Sequence, residues 1–112
     1  MVPKIDPTVA AVVVVFDPDD RFRQLLLSLV EQVNKIWIID NQPNSFSFSY
    51  VKGRQVQQRN NITLVENKKN VGLAAAQNQG IELALEDGVD WILLLDQDSI
   101  LDKDFVKNML NT

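Results

Sequence analysis

The sequence predicts an α/β fold built on a parallel sheet, and three observations support this. Short apolar runs rich in β-branched residues are typical of strands buried on both faces. These runs alternate with segments of helical periodicity, and each run ends in polar or acidic residues. The 112 residues, of which 46% are hydrophobic and 23% charged, suit one soluble domain. We expect four mostly parallel strands, flanked by helices and joined by right-handed crossovers.

The first part of the chain contains two predicted strands separated by a helix. The first strand is the continuous apolar run from Val9 to Phe16. Asp17 and Pro18 then predict a helix start, because Asp can cap a helix and Pro fits its first position. The helix carries an apolar stripe at helical spacing, formed by Phe22, Leu25, Leu26, Leu29, Val30 and Val33. The second strand is Lys35 to Asp40, which ends in an acid.

The second part repeats the alternation of strands and helices. The polar segment after the second strand is expected to contain a short helix near Tyr50 to Arg59. The third and fourth strands are expected at Ile62 to Glu66 and Trp91 to Leu95. A helix from Gly72 to Asp87 joins them, with Gly88 placed to end it. A last helix is expected from Asp104 to Leu110.

The composition excludes several classes of function. A net charge of −4 provides no basic face, so no nucleic-acid partner is expected. The chain has no Cys and no His, which excludes thiolate metal sites, Ser-His-Asp triads and imidazole bases. A metal would be held mainly by oxygen, as magnesium, manganese and calcium are. No apolar run approaches the roughly twenty residues of a membrane span, and no signal peptide is evident, so a cytoplasmic protein is expected.

The polar residues that follow the strands are the candidate site. Ligands of open parallel sheets bind at the carboxyl ends of the strands, which meet at one edge. The candidates at that edge are Asp17, Asp40, Asn41, Asn70, Gly72, Asp96 and Asp98.

The sequence Asp96-Gln97-Asp98 is the most informative of these. Two carboxylates that leave a buried strand must be solvated, paired or bound to metal. With a divalent cation they could hold the diphosphate of a nucleotide, because Mg²⁺ is usually held by one or two carboxylates and phosphate oxygens. Asp and Ser are also common in turns and helix caps, and spacing alone leaves both interpretations open.

The segment from Asn70 to Gly80 is a turn followed by a helix with many small residues. Packing of the helix against the sheet is the favoured explanation for Ala74, Ala75, Ala76 and Gly80. Asn70 and Gly72 stand at the helix start, where capping and ligand binding are equally reasonable. Asp40 could accept hydrogen bonds from a ribose or a base, although in isolation a turn-forming role is favoured.

Taken together, four motifs resemble a known family. In this order, VVVVFDPD, IIDNQ, NKKNVGLAAAQNQGI and WILLLDQDS resemble the N-terminal half of family 2 glycosyltransferases with the GT-A fold. The combination looks most like the bacterial rhamnosyltransferase branch, and it covers about Val9 to Leu110. The chain departs from the family pattern at Val15, where Thr is common, and at Asp17, where Asn is common.

The resemblance implies roles for the candidate residues in a Rossmann-like nucleotide-binding half. Asp40 would hydrogen-bond the N–H of a pyrimidine base, and the turn at Asn70 and Gly72 would pack beside base and ribose. Asp96 would lie near the ribose and a metal-bound water, and Asp98 would bind Mg²⁺ or Mn²⁺. The donor would be dTDP-L-rhamnose or a similar nucleotide sugar, transferred with inversion to a saccharide or lipid-linked acceptor in cell-surface polysaccharide synthesis. Such enzymes can be peripheral at the inner face of the membrane.

The resemblance further implies an acceptor-binding half that supplies the general base. We therefore expect residues 1–112 to form a single nucleotide-sugar-binding domain that lacks the acceptor half and has no catalytic base. Such a chain should not transfer sugar by itself. Its fourth strand should be an apolar edge, so a homo-oligomer is expected near Trp91 to Leu95 and the last helix.

Three alternatives compete with this interpretation. The acids after the first strand also resemble a receiver signalling domain, although no acceptor Asp ends the third strand. LLLDQDS resembles the nucleophile motif of haloacid-dehalogenase-like phosphatases, which lies on the first strand of that fold. A non-catalytic α/β binding module is the third alternative.

Overall fold

A computed structural model describes residues 7–42 and 61–111. The elements in chain order are β1 (Val9–Val15), α1 (Asp20–Leu29), β2 (Lys35–Asp40), β3 (Ile62–Glu66), α2 (Leu73–Glu86), β4 (Trp91–Asp96) and α3 (Phe105–Leu110). The second and third strands have the predicted bounds. The other two strands and α3 differ from prediction by one residue at one end, and α2 is shorter than predicted by one residue at each end. The helix predicted near residues 50–59 lies outside the described residues.

The four strands form one parallel sheet in the order β3-β2-β1-β4. β1 lies in the interior, with Val13 opposite Ile38 of β2 and Leu95 of β4. The predicted α/β class is therefore confirmed. Since every strand runs in the same direction, the carboxyl ends of all four meet at one edge.

The two inner strands, β1 and β2, are buried on both faces, which explains their continuous apolar runs. Side chains alternate along a strand, so β1 contributes Val13 to one face and Val12 to the other. The first face packs against α1 and the Val106 side of α3, and the second against α2. The buried residues of the first face include Val9, Ala11, Val15, Phe22, Leu25, Leu26, Leu29, Ile36 and Ile38, and those of the second include Ala10, Trp37, Ile39, Ala76 and Ala84.

Helix α2 approaches the sheet closely through a line of small residues. Ala76, Gly80 and Ala84, spaced by four, are buried. A Cβ atom at Gly80 would overlap the Cγ1 methyl of Val12, so only glycine permits this approach. The packing predicted for Ala76 and Gly80 is confirmed. For Ala74 and Ala75 it is wrong, because both are exposed near the start of the helix.

The predicted start of α1 is also wrong. The N-cap is Asp19, whose carboxylate accepts a hydrogen bond from the Arg21 backbone N–H at 3.0 Å. Asp17 instead has a φ of +46°, a left-handed conformation that Asp tolerates better than most residues. Pro18 is therefore the residue before the cap rather than the first helical residue. The predicted stripe from Phe22 to Leu29 is buried, while Val30 and Val33 follow the end of the helix.

Strand β4 lies at an edge of the described sheet. Trp91 is 57% exposed and Leu94 is 43% exposed. Gln32 attaches α3 to the end of α1, since its side chain donates to the Asp102 carbonyl at 2.8 Å and accepts from the Val106 N–H at 2.9 Å. Self-association through this edge stays a prediction. Among the described residues, no helix is long and apolar enough to cross a membrane.

Candidate functional site

The turn after β4 is tied to the end of β1 by Gln97. Its side-chain oxygen accepts from the Phe16 N–H at 2.8 Å, and its side-chain nitrogen donates to the Phe16 carbonyl at 3.2 Å. The Ser99 N–H donates to the Asp96 carbonyl at 3.1 Å, which closes the turn. The turn interpretation of these residues is thus correct. It is compatible with a site, because the turn presents Asp96 and Asp98 on either side of a fixed Gln97.

Both acids of this turn are exposed, and Asp98 lies close to the guanidinium group of Arg21. The Arg21 Nη1 atom lies 3.6 Å from Asp98 Oδ2. Arg21 also donates to the Asp19 carboxylate, with 2.9 Å from Nη2 to Oδ2. The hydrogen bonds of Arg21 hold the pKa of Asp19 below its ordinary value, and Asp19 raises the pKa of Arg21. Arg21 and Gln97 were not among the predicted site residues.

The chemistry of the acids suits a hard divalent cation that other ligands complete. Asp96 and Asp98 provide carboxylate oxygens, the donors that Mg²⁺ and Mn²⁺ prefer. Within residues 7–42 and 61–111, no group of three or more His, Cys, Asp or Glu could hold a metal ion. The two acids therefore fit a cation only if phosphate oxygens and water supply the remaining ligands.

Asn41 organises the other side of the edge. Its side chain is buried and makes four hydrogen bonds. The amide nitrogen donates to Asn70 Oδ1 at 3.1 Å and to the Gly72 carbonyl at 3.3 Å. The amide oxygen accepts from the Val71 N–H and the Asn67 side chain, both at 3.1 Å. One side chain after β2 thus fixes the whole turn between β3 and α2.

The turn itself depends on Asn70 and Gly72. Asn70 Oδ1 accepts the Gly72 N–H at 2.8 Å, a local contact typical of Asn before a helix. Gly72 is the N-cap of α2 and has a φ of +88°, which other residues rarely adopt. A Cβ atom there would meet nothing within 4 Å, so the requirement for glycine is conformational.

Asp40 is buried at the end of β2, with 1% of its surface exposed. Its Oδ1 accepts the Gln42 N–H at 3.2 Å, so the turn-forming role is confirmed for that oxygen. A contact with a nucleotide base stays a prediction. A reciprocal amide pair between Asn67 and Gln79, with bonds of 2.8 and 2.9 Å, supports the neighbouring turn and was also missed.

The structure therefore brings the predicted residues together in two groups at one edge. Asn41 joins Asn70 and Gly72, beside Asp40. The second group is the turn of Asp96 and Asp98, which the Gln97–Phe16 pair attaches to the end of β1 beside Asp17.

A separate cleft of about 620 Å³ opens at the opposite, amino ends of the strands. It is lined by residues that include Val9, Asn34, Asp104 and Lys107. Sequence reasoning placed no function here. Its position shows that Asp104 faces away from the end of the sheet that carries Asp96 and Asp98.

Comparisons with known proteins show which family the chain belongs to. The family model described as "Glycosyl transferase family 2" matches residues 10–112. The chain belongs to this family. The resemblance inferred from the four motifs is thus confirmed, and the receiver and phosphatase alternatives are not supported. All seven predicted site residues of this family 2 glycosyltransferase lie within residues 10–112, which the family model matches.

Individual relatives match the chain at modest identity. The dTDP-rhamnosyl transferase RfbF of Shigella flexneri is 28% identical over 106 residues, which are 94% of this chain and 34% of RfbF. The crystal structure of S. aureus TarS 1-349 superposes with a TM-score of 0.70 at 17% identity, over 91% of this chain and 31% of that one. A second S. aureus TarS structure gives a TM-score of 0.68 at 16% identity, over 91% and 18% of the two chains. The chain thus spans about a third or less of the length of these relatives.

Proposed function

We propose that this family 2 glycosyltransferase chain binds the nucleoside diphosphate of a sugar donor at the carboxyl edge of its sheet, together with Mg²⁺ or Mn²⁺. The observation that carries the proposal is the turn at Asp96 and Asp98, which Gln97 fixes against the end of β1. Two exposed carboxylates on a rigid turn suit a cation that also binds phosphate oxygens. dTDP-L-rhamnose is the proposed donor, since the relative RfbF is a dTDP-rhamnosyl transferase.

The proposed roles divide between the two groups of residues. Asp98, with Asp96, would hold the cation, which when bound supplies charge neutralisation for the departing diphosphate. The turn of Asn70 and Gly72 would lie beside the base and ribose, and Asp40 would accept from the base. The hydrogen bonds of Asn41 support this assignment, because they hold that turn in one conformation before a ligand arrives.

Sugar transfer with inversion needs a base that accepts the proton of the acceptor hydroxyl. Of the acids that follow the Asp96 turn, Asp104 lines the cleft at the opposite end of the sheet. The Asp102 carbonyl accepts from Gln32, just beyond α1. We therefore propose that the 112 residues bind donor but transfer no sugar to a saccharide or lipid-linked acceptor, and that the base and acceptor site belong to other parts of the enzyme. Cell-surface polysaccharide synthesis is the proposed pathway.

Calorimetric titration with dTDP, with and without Mn²⁺, tests the donor site. We expect binding that requires the cation and that Asp98→Asn reduces strongly. Asp104→Asn is the matched control, because it removes one exposed carboxylate at the far end of the sheet and should leave binding unchanged. Equal binding with and without Mn²⁺, or full binding by Asp98→Asn, would contradict the proposal.

A further inference from the structure

Arg21 lies between Asp19 and Asp98, where its guanidinium group could contact an anionic ligand. It lies in the first turn of α1, which follows β1 at the carboxyl edge of the sheet. Its Nε and Nη2 atoms face Asp19, at 3.2 Å and 2.9 Å from Oδ2. Its Nη1 atom faces Asp98, at 3.6 Å from Oδ2. One guanidinium thus connects a helix cap to the proposed cation site.

The two carboxylates hold this guanidinium very differently. Asp19 accepts hydrogen bonds from two nitrogens of the guanidinium, from Nε to Oδ1 at 3.3 Å and from Nη2 to Oδ2 at 2.9 Å, a two-point contact that orients the group. Asp19 is itself fixed, because its Oδ1 caps the Arg21 N–H. The Nη1–Asp98 distance of 3.6 Å exceeds that of an ordinary N–H···O hydrogen bond. Arg21 is therefore oriented by Asp19 and only loosely paired with Asp98.

The position of Arg21 beside Asp98 would influence the binding of both proposed ligands, the divalent cation and the diphosphate. A divalent cation on Asp98 would lie close to the guanidinium charge, and the two cations repel each other. A diphosphate removes this conflict, because its oxygens attract both cations and accept the Nη1 hydrogen bonds. The half-exposed side chain of Arg21 is accessible to such a ligand.

We propose that Arg21, oriented by Asp19, binds the diphosphate of the donor and so makes cation binding at Asp98 depend on the diphosphate. This inference rests on the proposed donor site and adds to it a residue outside the four motifs. Arg21 binds the ligand directly, and Asp19 is a positioning residue. Arg21 would contact only the diphosphate of the donor, so the same contact would form whichever sugar the donor carries.

The test compares Arg21→Gln with Arg23→Gln, the same substitution two residues later on α1. Calorimetry with dTDP in excess Mg²⁺ should show about a tenfold loss of affinity for Arg21→Gln, the order expected for one charge-assisted hydrogen bond. Arg23→Gln should bind like the wild type. Arg21→Lys should recover part of the loss, because it restores the charge without the two-point contact. Urea unfolding of each variant verifies that the fold is intact.

A second measurement separates a ligand-binding role from a structural one. Binding of Mn²⁺ alone, followed by water proton relaxation, should be as tight or tighter in Arg21→Gln, because a competing cation has been removed from Asp98. Weaker Mn²⁺ binding by this variant would mean that Arg21 only supports the turn, and would overturn the proposal. So would unchanged dTDP affinity in Arg21→Gln while the wild type binds. Failure of the wild type to bind dTDP at all would instead overturn the donor site and this inference together.

Discussion

Replacement of Asn41 by alanine tests whether one buried amide holds the β3–α2 turn in place. The substitution removes four side-chain hydrogen bonds, to Asn70, Val71, Gly72 and Asn67. The backbone bond from the Asn41 N–H to the Val15 carbonyl, at 2.9 Å, is kept. The perturbation therefore acts on the turn and leaves the strand ladder intact.

The expected magnitude follows from the surroundings of the partners. Each lost hydrogen bond contributes about 0.5–1.5 kcal/mol net, which gives about 2–6 kcal/mol for four. Residues 70–72 are exposed, so water replaces part of what they lose. We expect Asn41→Ala to lower the free energy of unfolding by about 2 kcal/mol. Asn41→Asp should be at least as destabilising, because a carboxylate oxygen would then face Asn70 Oδ1 and the Gly72 carbonyl.

Urea unfolding measures the global effect, and amide hydrogen exchange locates it. Exchange at Val71 should accelerate in Asn41→Ala, because its N–H loses the Asn41 oxygen as acceptor. Asn78→Ala is the control, since Asn78 is exposed on α2 and alanine favours helices, so stability should be unchanged or slightly raised. A loss below about 0.5 kcal/mol together with unchanged Val71 exchange would refute the reasoning.

Three further predictions address the packing, the helix cap and the edge strand. Gly80→Ala should lower the free energy of unfolding in urea by about 1–2 kcal/mol, because the added methyl group overlaps Val12. Val12→Ala in the same chain should recover part of this loss. A gain in stability on Gly80→Ala would contradict the close approach of α2 to the sheet. Because folding lowers the pKa of Asp19 below its ordinary value of 3.8, the ionised Asp19 stabilises the fold fully when the pH is above that ordinary pKa. This stabilisation is lost as the pH falls through the lower pKa of the folded state. The stability difference between wild type and Asp19→Asn should therefore vanish in acid. A difference that grows in acid would mean that the pKa of Asp19 is raised by folding and would contradict the prediction. Sedimentation at micromolar concentration should show self-association that Trp91→Lys abolishes, whereas a monomeric wild type would mean that the edge recruits no second copy.

The strands were predictable because their signal is local. β2 and β3 have the predicted bounds, since β-branched and aromatic residues are typical of strands. The start of α1 was not predictable in the same way. Asp17, Asp19 and Asp20 can all cap a helix, and the choice of Asp19 depends on the path of the chain after β1, where Asp17 takes a left-handed conformation.

The site was only partly predictable because its contacts depend on strand order. The sequence indicates that polar residues follow each strand, but it does not show that β4 lies beside β1. That neighbourhood pairs Gln97 with Phe16 and Arg21 with Asp98, contacts between residues far apart in sequence. Asp96 and Asp98 were predictable because carboxylates that follow an apolar strand must be solvated, paired or bound to metal. Gln97, Asn67 and Arg21 gave no such signal, since polar side chains in loops and on helix surfaces are ordinary.

Paramagnetic mapping with Mn²⁺ tests the location of the site most directly. In NMR spectra of the chain with saturating dTDP, substoichiometric Mn²⁺ should broaden amide signals around Asp98 first, and excess Mg²⁺ should restore them. Signals around Asn34 and Lys107, at the amino-end cleft, should stay sharp. Broadening centred on that cleft, or spread evenly over the surface, would contradict the account that the donor and its cation bind at the carboxyl edge of the sheet.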